Sequence, residues 1–82
     1  MARLILSGML KQLAHGVAEH DIEARDVRHL LRQLAERHPA TQPYLAEEAF
    51  AVAIDGEIHQ DAWLQPLEPH SEVHLIPPIG GG

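Results

Sequence analysis

The chain ends in Pro77-Pro78-Ile79-Gly80-Gly81-Gly82, and this tail limits what the preceding residues can fold into. Proline has a fixed φ and no N–H to donate to a sheet, so Pro77 and Pro78 should end strand pairing and hold the tail extended. Glycine has no Cβ and loses more conformational freedom on folding than any other residue. Three terminal glycines therefore contribute nothing to a core. They suit a thin, mobile tail whose main-chain carboxylate enters a channel too narrow for side chains.

Length and composition indicate a single small globular domain. The chain has 82 residues, of which 45% are hydrophobic, and this is the apolar content of an ordinary folded domain. It has no cysteine, which excludes a disulfide framework, a thiolate zinc site and a cysteine nucleophile. No hydrophobic run approaches the roughly 20 residues of a membrane span, and the N-terminus does not resemble a signal peptide. We therefore expect a cytoplasmic protein that has no membrane partner.

The charge argues against a nucleic-acid partner. Twelve acidic residues oppose six basic ones, giving a net charge of −6 at pH 7. Nucleic-acid binding normally requires a basic patch that replaces counterions, and the sequence contains no such cluster. A basic protein partner fits better, although mild acidity also serves solubility alone.

Hydrophobic patterning predicts five strands and one main helix. The helix spans Asp26–His38, with Asp26 as its N-cap, an apolar stripe at helical spacing and Pro39 as its stop. Asp55-Gly56 is typical of a type I′ hairpin turn. The predicted strands are Leu4–Leu6, Val17–Ala24, Phe50–Ile54, Glu57–His59 and Glu72–Ile76.

The connections carry weaker patterns. We expect a turn or short helical corner at Met9–Leu13, a connector at 40–49 with a helical turn over 45–49, and a packed loop at 61–69 with Trp63 as a core plug. The whole order predicts an α+β domain over residues 1–76, in which the helix packs across a mixed sheet, followed by a flexible tail at 77–82.

The last strand and tail carry the most specific resemblance. Glu72-Val73-His74-Leu75-Ile76-Pro77-Pro78-Ile79-Gly80-Gly81-Gly82 resembles the final strand, Pro-Pro and terminal di-glycine of the ubiquitin-like sulfur carriers, the MoaD/ThiS family. The helix sequence from Asp26 to Ala35 and the hairpin Ala53-Ile54-Asp55-Gly56-Glu57-Ile58 are similar to the family's helix and middle hairpin. The resemblance covers the whole chain and implies the β-grasp, or ubiquitin-like, fold.

Three features depart from the usual family pattern. His70-Ser71 stand where a Gly-Asp usually enters the last strand, so this turn must differ locally. Pro77-Pro78 resemble the molybdopterin branch, whereas Trp63 resembles the thiamine branch. Gly80 is a third glycine where many members have another small residue. These features leave molybdopterin (molybdenum cofactor) synthesis as the leading pathway, with thiamine synthesis or another sulfur-insertion pathway as the alternative.

The resemblance implies a carrier protein rather than an enzyme, whose reactive group is the α-carboxylate of Gly82. An E1-like adenylating enzyme would convert this carboxylate to an acyl-adenylate, and a sulfur donor (a sulfurtransferase) would replace the AMP to give a thiocarboxylate. The sulfur would then pass to the molybdopterin synthase large subunit or an analogous sulfur-accepting enzyme. Gly81 and Gly80 would give the tail clearance. The chain has no Gly-rich phosphate loop, so we expect the partner to bind ATP and this chain to bind no cofactor.

The face of the last strand that points away from the helix is a candidate docking surface. If Val73 and Leu75 face the helix, His74 and Ile76 lie on the open side of the sheet, beside Ile5 of the first strand. Small domains seldom expose a contiguous apolar patch without a partner. The alternative is that a loop covers Ile76.

The tail itself contains further candidates for partner contact. Ile79 is a large apolar residue on a mobile segment, which indicates a pocket in a partner, and Pro77-Pro78 hold the segment away from the sheet.

The histidines show no metal-binding pattern. They are scattered over different predicted elements, and no pair has the spacing of a known motif with a supporting carboxylate. We expect exposed or hydrogen-bonded imidazoles and no metal site. The seven are His15, His20, His29, His38, His59, His70 and His74.

Two other functions remain open from the sequence. The same activated carboxylate could be joined to lysines of other proteins, which would make the chain a ubiquitin-like modifier. Alternatively, the chain is an interaction domain whose glycine tail is inert.

Overall fold

The computed structural model describes residues 1–46, 50–59 and 64–76. Within these ranges, every helix is too short or too polar to cross a bilayer. The elements are β1 (Ala2–Leu6), α1 (Gly8–Leu13), β2 (Glu19–Ile22), α2 (Val27–Arg37), a 3₁₀ turn (Pro39–Thr41), α3 (Gln42–Ala46), β3 (Ala51–Ile54), β4 (Glu57–His59) and β5 (Glu72–Ile76).

A five-stranded mixed sheet forms the framework, with strand order β2-β1-β5-β3-β4. β1 and β5 pair in parallel, and the other three neighbouring pairs are antiparallel. This arrangement confirms the predicted mixed sheet. Because β1 and β5 are parallel, Leu6 and Leu75 are partners near the carboxyl ends of both strands.

α2 forms where the sequence predicts the main helix. The Asp26 carboxylate caps it, since Oδ1 accepts a hydrogen bond from the main-chain N–H of His29 at 2.8 Å. His38 follows as the C-cap, and Pro39 opens the 3₁₀ turn. The predicted apolar stripe is buried in full and comprises Val27, Leu30, Leu31 and Leu34.

The core lies between α2 and one face of the sheet. Leu4 and Leu6 of β1 and Val73 and Leu75 of β5 are buried, and they form one apolar cluster with the stripe of α2. Fully burying a side chain of this size contributes about 1.5–3 kcal/mol. Burial alternates along β1 and β5, which shows that successive side chains point to opposite faces of the sheet, as the sequence predicts for β5.

The connection from β1 to β2 contains the short helix α1 and a loop, and β2 is shorter than predicted. Met9–Leu13, where a turn or short helical corner is expected, belongs to α1, which ends at Leu13. His15 and Gly16 follow in a turn with φ of 59° and 78°. The second strand covers only Glu19–Ile22, so the prediction of a strand over Val17–Ala24 is too long. Val17 is 47% exposed and lies in the loop, where its N–H donates to the carbonyl of Ala14.

The connector after α2 is also helical, but earlier than expected. The helical turn predicted over 45–49 is α3 at Gln42–Ala46, which follows the 3₁₀ turn directly. Pro43 fits the first turn of a helix because the N–H groups there have no intrahelical partner. Glu47, Glu48 and Ala49 lie outside the described residues, as does Trp63 with its predicted role as a core plug.

Ser71 closes the turn that enters β5. Its N–H donates to the Glu68 carbonyl at 3.0 Å, and its Oγ accepts from the Glu68 N–H at 2.9 Å. The Ser71 carbonyl then accepts from the N–H of Arg3 at 2.8 Å, which fixes the start of β5 against β1. This buried serine gives the local turn that His70-Ser71 requires in place of Gly-Asp.

Candidate functional site

The predicted reactive end of the chain continues from the last residue of β5. Ile76 is the final described residue, and it lies at the end of the sheet where β1 also finishes. The tail residues predicted to react or to contact partners lie outside the described residues, so their roles stay predictions. They are Pro77, Pro78, Ile79, Gly80, Gly81 and Gly82.

The structure brings the predicted docking residues together on the face of the sheet opposite the core. His74 pairs with Ile5 of β1 on one side and with Ala53 of β3 on the other, as the sequence predicts for Ile5 and His74. Ile76 pairs with Ala51 on the same face, and both His74 and Ile76 are half-buried. We call this surface the open face, and its apolar and aromatic members are Ile5, Ala51, Ala53, Ile58, His74 and Ile76.

Ile58 extends the open face to the edge of the sheet. It lies on β4 opposite Ala53, and the residue is 64% exposed. The sequence places Ile58 in the middle hairpin, and its place on the open face follows only from the pairing of β4 with β3. The length of the predicted strand could have indicated this exposure. An isoleucine on a three-residue strand at the edge of the sheet cannot be covered by neighbours on both sides.

Acidic side chains border the open face on the β2 side. Arg3 lies 3.9 Å from Glu19 and 3.8 Å from Asp21, and all three side chains are more than half exposed. Exposed pairs of this kind contribute only about 0–1 kcal/mol, so they are available to a partner's charges. Glu72 lies 3.8 Å from the His74 imidazole, a contact that is ionic only when the imidazole is protonated.

Two surface grooves lie away from the open face. One, of about 520 Å³, is lined by residues of the β1 start, the β2–α2 connection and α2, including Glu23, Arg25 and His29. The other, of about 280 Å³, lies between α2 and α3 beside Arg28 and Arg32. Neither groove includes a residue of the open face.

Three histidines lie close together at the end of α2, a grouping that the sequence does not predict. The rings of His15 and His20 each lie just over 5 Å from the ring of His38. The expectation that all histidines are exposed or hydrogen-bonded is wrong for His38, whose Nδ1 is buried without a hydrogen-bond partner among the described residues. Within those residues, no three histidine or carboxylate groups are placed to hold a metal ion.

A family model matches almost the entire sequence. The model is that of the ThiS family, and it aligns with residues 4–82, which include the tail. The chain belongs to the ThiS family. This result confirms the resemblance to the ubiquitin-like sulfur carriers that the last strand and tail indicate. No curated protein matches the sequence.

Solved structures show the same fold as this ThiS-family chain. The small archaeal modifier protein 1 (SAMP1) of Methanosarcina acetivorans is 21% identical, with a TM-score of 0.86 over 99% of this chain and 95% of that one. A chain of the Amycolatopsis orientalis BexX/CysO complex is 13% identical, with a TM-score of 0.87 over 100% of both.

A third similar structure is the complex of subunits 1 and 2 of the molybdopterin-converting factor from Helicobacter pylori. The match has 22% identity and a TM-score of 0.69 over 99% of this chain and 97% of that chain. The three similarities confirm the ubiquitin-like β-grasp fold of this ThiS-family chain.

Proposed function

We propose that this chain is a sulfur carrier that delivers sulfur as a thiocarboxylate at Gly82. The observation that carries the proposal is the match to the ThiS family from residue 4 through Gly82, on a β-grasp domain whose last strand leads directly into the tail. The domain acts as the part that partners hold, and the main-chain carboxylate of Gly82 acts as the reacting group.

The chemistry requires activation because a carboxylate is a poor electrophile. A Gly82 carboxylate oxygen attacks the α-phosphorus of ATP, pyrophosphate leaves, and an acyl-adenylate forms. The terminal sulfur of a persulfide on the donor then attacks the acyl carbon, and AMP leaves together with that oxygen. A thiol next attacks the donor-side sulfur of the resulting acyl disulfide, which forms a new disulfide with the donor and releases the thiocarboxylate; free sulfide would give the same product in one step. The net result is one carboxylate oxygen replaced by one sulfur.

The activation takes place in a partner enzyme. Adenylation needs a site that binds the nucleotide phosphates and magnesium, and the sequence of this chain has no Gly-rich phosphate loop. ATP therefore binds to an E1-like adenylating enzyme, and this chain binds no cofactor. In this proposal the chain is a carrier rather than an enzyme, and it works in the cytoplasm. Gly80 and Gly81 let the tail enter the partner's channel because they add no side chain to the main chain.

The open face is the surface by which partners hold the domain. It combines half-buried apolar residues with the exposed Ile58, and Glu19, Asp21 and Glu72 place negative charge beside it. A partner with an apolar patch and a basic rim complements both features. Pro77, Pro78 and Ile79 extend this contact, because they continue from Ile76 of the open face.

We assign the sulfur to molybdopterin synthesis as the leading pathway. Pro77-Pro78 support this choice, and one similar structure contains the two subunits of a molybdopterin-converting factor. The partners would then be the adenylating enzyme, a sulfurtransferase as donor and the molybdopterin synthase large subunit as acceptor. Trp63 resembles the thiamine branch, so thiazole synthesis is the alternative acceptor pathway.

A second function, protein modification, rests on a separate observation. The chain has the fold of the small archaeal modifier protein 1 with a TM-score of 0.86. In that function the same acyl-adenylate is attacked by a lysine amine of a target protein, and an isopeptide bond forms.

Intact-protein mass spectrometry separates the two functions. The purified chain is incubated with the adenylating enzyme, ATP and a sulfur donor, and we expect a product in which one oxygen is exchanged for sulfur. A matched chain that lacks only Gly82 should stay unmodified. If isopeptide adducts are the only products, the carrier function is wrong and the modifier function is supported.

A further inference from the structure

Three histidines from three parts of the chain pack around the end of α2. The His38 ring lies 5.2 Å from the His15 ring and 5.3 Å from the His20 ring, measured between centroids, with interplanar angles of 66° and 73°. His15 follows α1, His20 lies on β2, and His38 is the C-cap of α2. We call these three residues the histidine cluster. Both contacts are edge-to-face, which is a favourable packing of neutral aromatic rings.

The hydrogen bonds of the cluster fit neutral imidazoles. His20 Nε2 lies 3.0 Å from the carbonyl oxygen of Val17, so this nitrogen carries hydrogen and donates. His38 Nδ1 is buried and has no hydrogen-bond partner among the described residues. Protonated His38 carries hydrogen on both ring nitrogens, so its inaccessible Nδ1 would be an N–H without an acceptor among the described residues.

The position of His15 requires an unfavourable backbone conformation. Its φ of 59° lies in the left-handed region, which residues other than glycine seldom adopt, although histidine adopts it more often than most. The neighbouring Gly16 has a similar φ of 78° without this penalty. Backbone strain of this kind persists only where the surrounding contacts hold it, and the ring contact to His38 is one of them.

The charged side chains that act on His38 among the described residues oppose its protonation, whereas the negative end of the α2 dipole favours it. Burial lowers the pKa of His38, and the positive charges of His20, His15 and Arg37 lower it further. His15 comes from the α1–β2 connection, His20 from β2 and Arg37 from α2 itself. Within residues 1–46, 50–59 and 64–76, no carboxylate contributes to the shift of the His38 pKa.

The cluster borders the end of the domain that carries the tail. β1 and β5 run in parallel, α1 begins just beyond Leu6, and the tail continues just beyond Ile76. α1 also contacts the 3₁₀ turn that follows His38. A change in the packing of the cluster therefore acts on the end of the sheet at which β5 finishes and the sequence continues into the tail.

We propose that the histidine cluster is a proton-responsive latch that fastens α1 to the end of α2 at neutral pH and releases it in mild acid. Neutral rings pack edge to face and hold the connection closed. When the His38 ring is protonated, a positive charge stands just over 5 Å from both neighbouring rings, the edge-to-face packing is weakened, and α1 loosens beside the end of the sheet that leads to the tail. The latch is a property of the folded chain alone and goes beyond its role as a carrier.

The test compares amide hydrogen exchange at about pH 7.5 and about pH 5, the interval in which histidines titrate. After correction for intrinsic exchange rates, we expect the opening equilibrium of residues 10–18 to rise several-fold in acid in the wild-type chain, while that of β3 and β5 changes less. His38→Phe keeps an aromatic ring without a titrating group, and should remove most of this rise. His70→Gln, at an exposed histidine on the turn before β5, is the matched control and should keep it.

A second variant guards against misfolding of His38→Phe. His15→Asn tolerates a positive φ and removes one titrating neighbour, so it should reduce the acid response in the same direction. If wild-type residues 10–18 open equally at both pH values, or if His38→Phe and His70→Gln respond like the wild type, the latch does not exist. The measurement involves no partner and no thiocarboxylate, so its outcome is independent of the proposed carrier function.

Discussion

Asp55 and Glu72 are joined by two hydrogen bonds that tie the β3–β4 turn to the start of β5. The Asp55 N–H donates to the Glu72 carbonyl at 2.8 Å, and the Glu72 N–H donates to Asp55 Oδ1 at 2.9 Å. Asp55 also has a φ of 50°, and Gly56 follows with a φ of 84°, as a type I′ turn requires. The sequence predicts Asp55 for the turn alone. The structure adds a second role, in which its carboxylate fixes the strand that leads to the tail.

Replacement of Asp55 should separate these two roles. Asp55→Ala loses the acceptor of the Glu72 N–H. Alanine also lacks the side-chain hydrogen bond that helps aspartate to hold a positive φ. We therefore expect a loss of about 1–3 kcal/mol in the free energy of unfolding. Asp55→Asn keeps an oxygen acceptor and tolerates the left-handed region, so its loss should be smaller. Urea unfolding measures both variants. Equal losses would show that the hydrogen bond to Glu72 contributes nothing.

Removal of the α2 cap should destabilise the domain. Asp26→Ala leaves the His29 N–H without its acceptor at the helix N-terminus, and we expect a loss of about 0.5–2 kcal/mol by thermal or urea unfolding. Asp26→Ser keeps a capping oxygen and should recover much of the loss. Asp21→Ala serves as the control, because it removes only an exposed pair with Arg3 that contributes about 0–1 kcal/mol. A larger loss in Asp21→Ala than in Asp26→Ala would contradict the assignment of the cap.

The stability of the domain should fall with acid through His38. Burial lowers its pKa in the folded state below the ordinary value of 6.5, so the unfolded chain binds this proton more tightly than the folded chain. The contribution of His38 to stability is therefore full above pH 6.5 and is lost as the pH falls through the lowered pKa. The negative end of the α2 dipole acts in the opposite direction and offsets part of this effect, by about 0.3–2 kcal/mol.

A pH titration of the His38 ring signals by NMR measures this shift directly. We expect a titration midpoint below 6.5, and urea unfolding in parallel should show stability rising with pH across the same interval. A midpoint at or above 6.5 would mean that the ring is not desolvated in solution.

The features that the sequence predicts are those whose causes are local. The stripe and cap of α2 lie within one helix, and the Asp55-Gly56 turn is set by two adjacent residues, so each could be identified from sequence. The insertion of β5 between β1 and β3 depends on pairing between distant segments and has no local signal. The same is true of the bond from Asp55 to Glu72 and of the meeting of His15 with His38.

The open face can be tested by replacing its most exposed member. Ile58→Ser changes a side chain that is 64% exposed, so the fold should be retained, while binding to the adenylating enzyme should weaken by about tenfold, or about 1.4 kcal/mol. Leu64→Ser is the matched control, because Leu64 is 75% exposed in the loop that pairs with the start of α2. Isothermal titration calorimetry with the purified enzyme compares the two. If both variants bind as tightly as the wild type, partners hold the domain by a surface that does not include Ile58. If Leu64→Ser weakens binding more than Ile58→Ser, that surface lies on the α2 side of the domain.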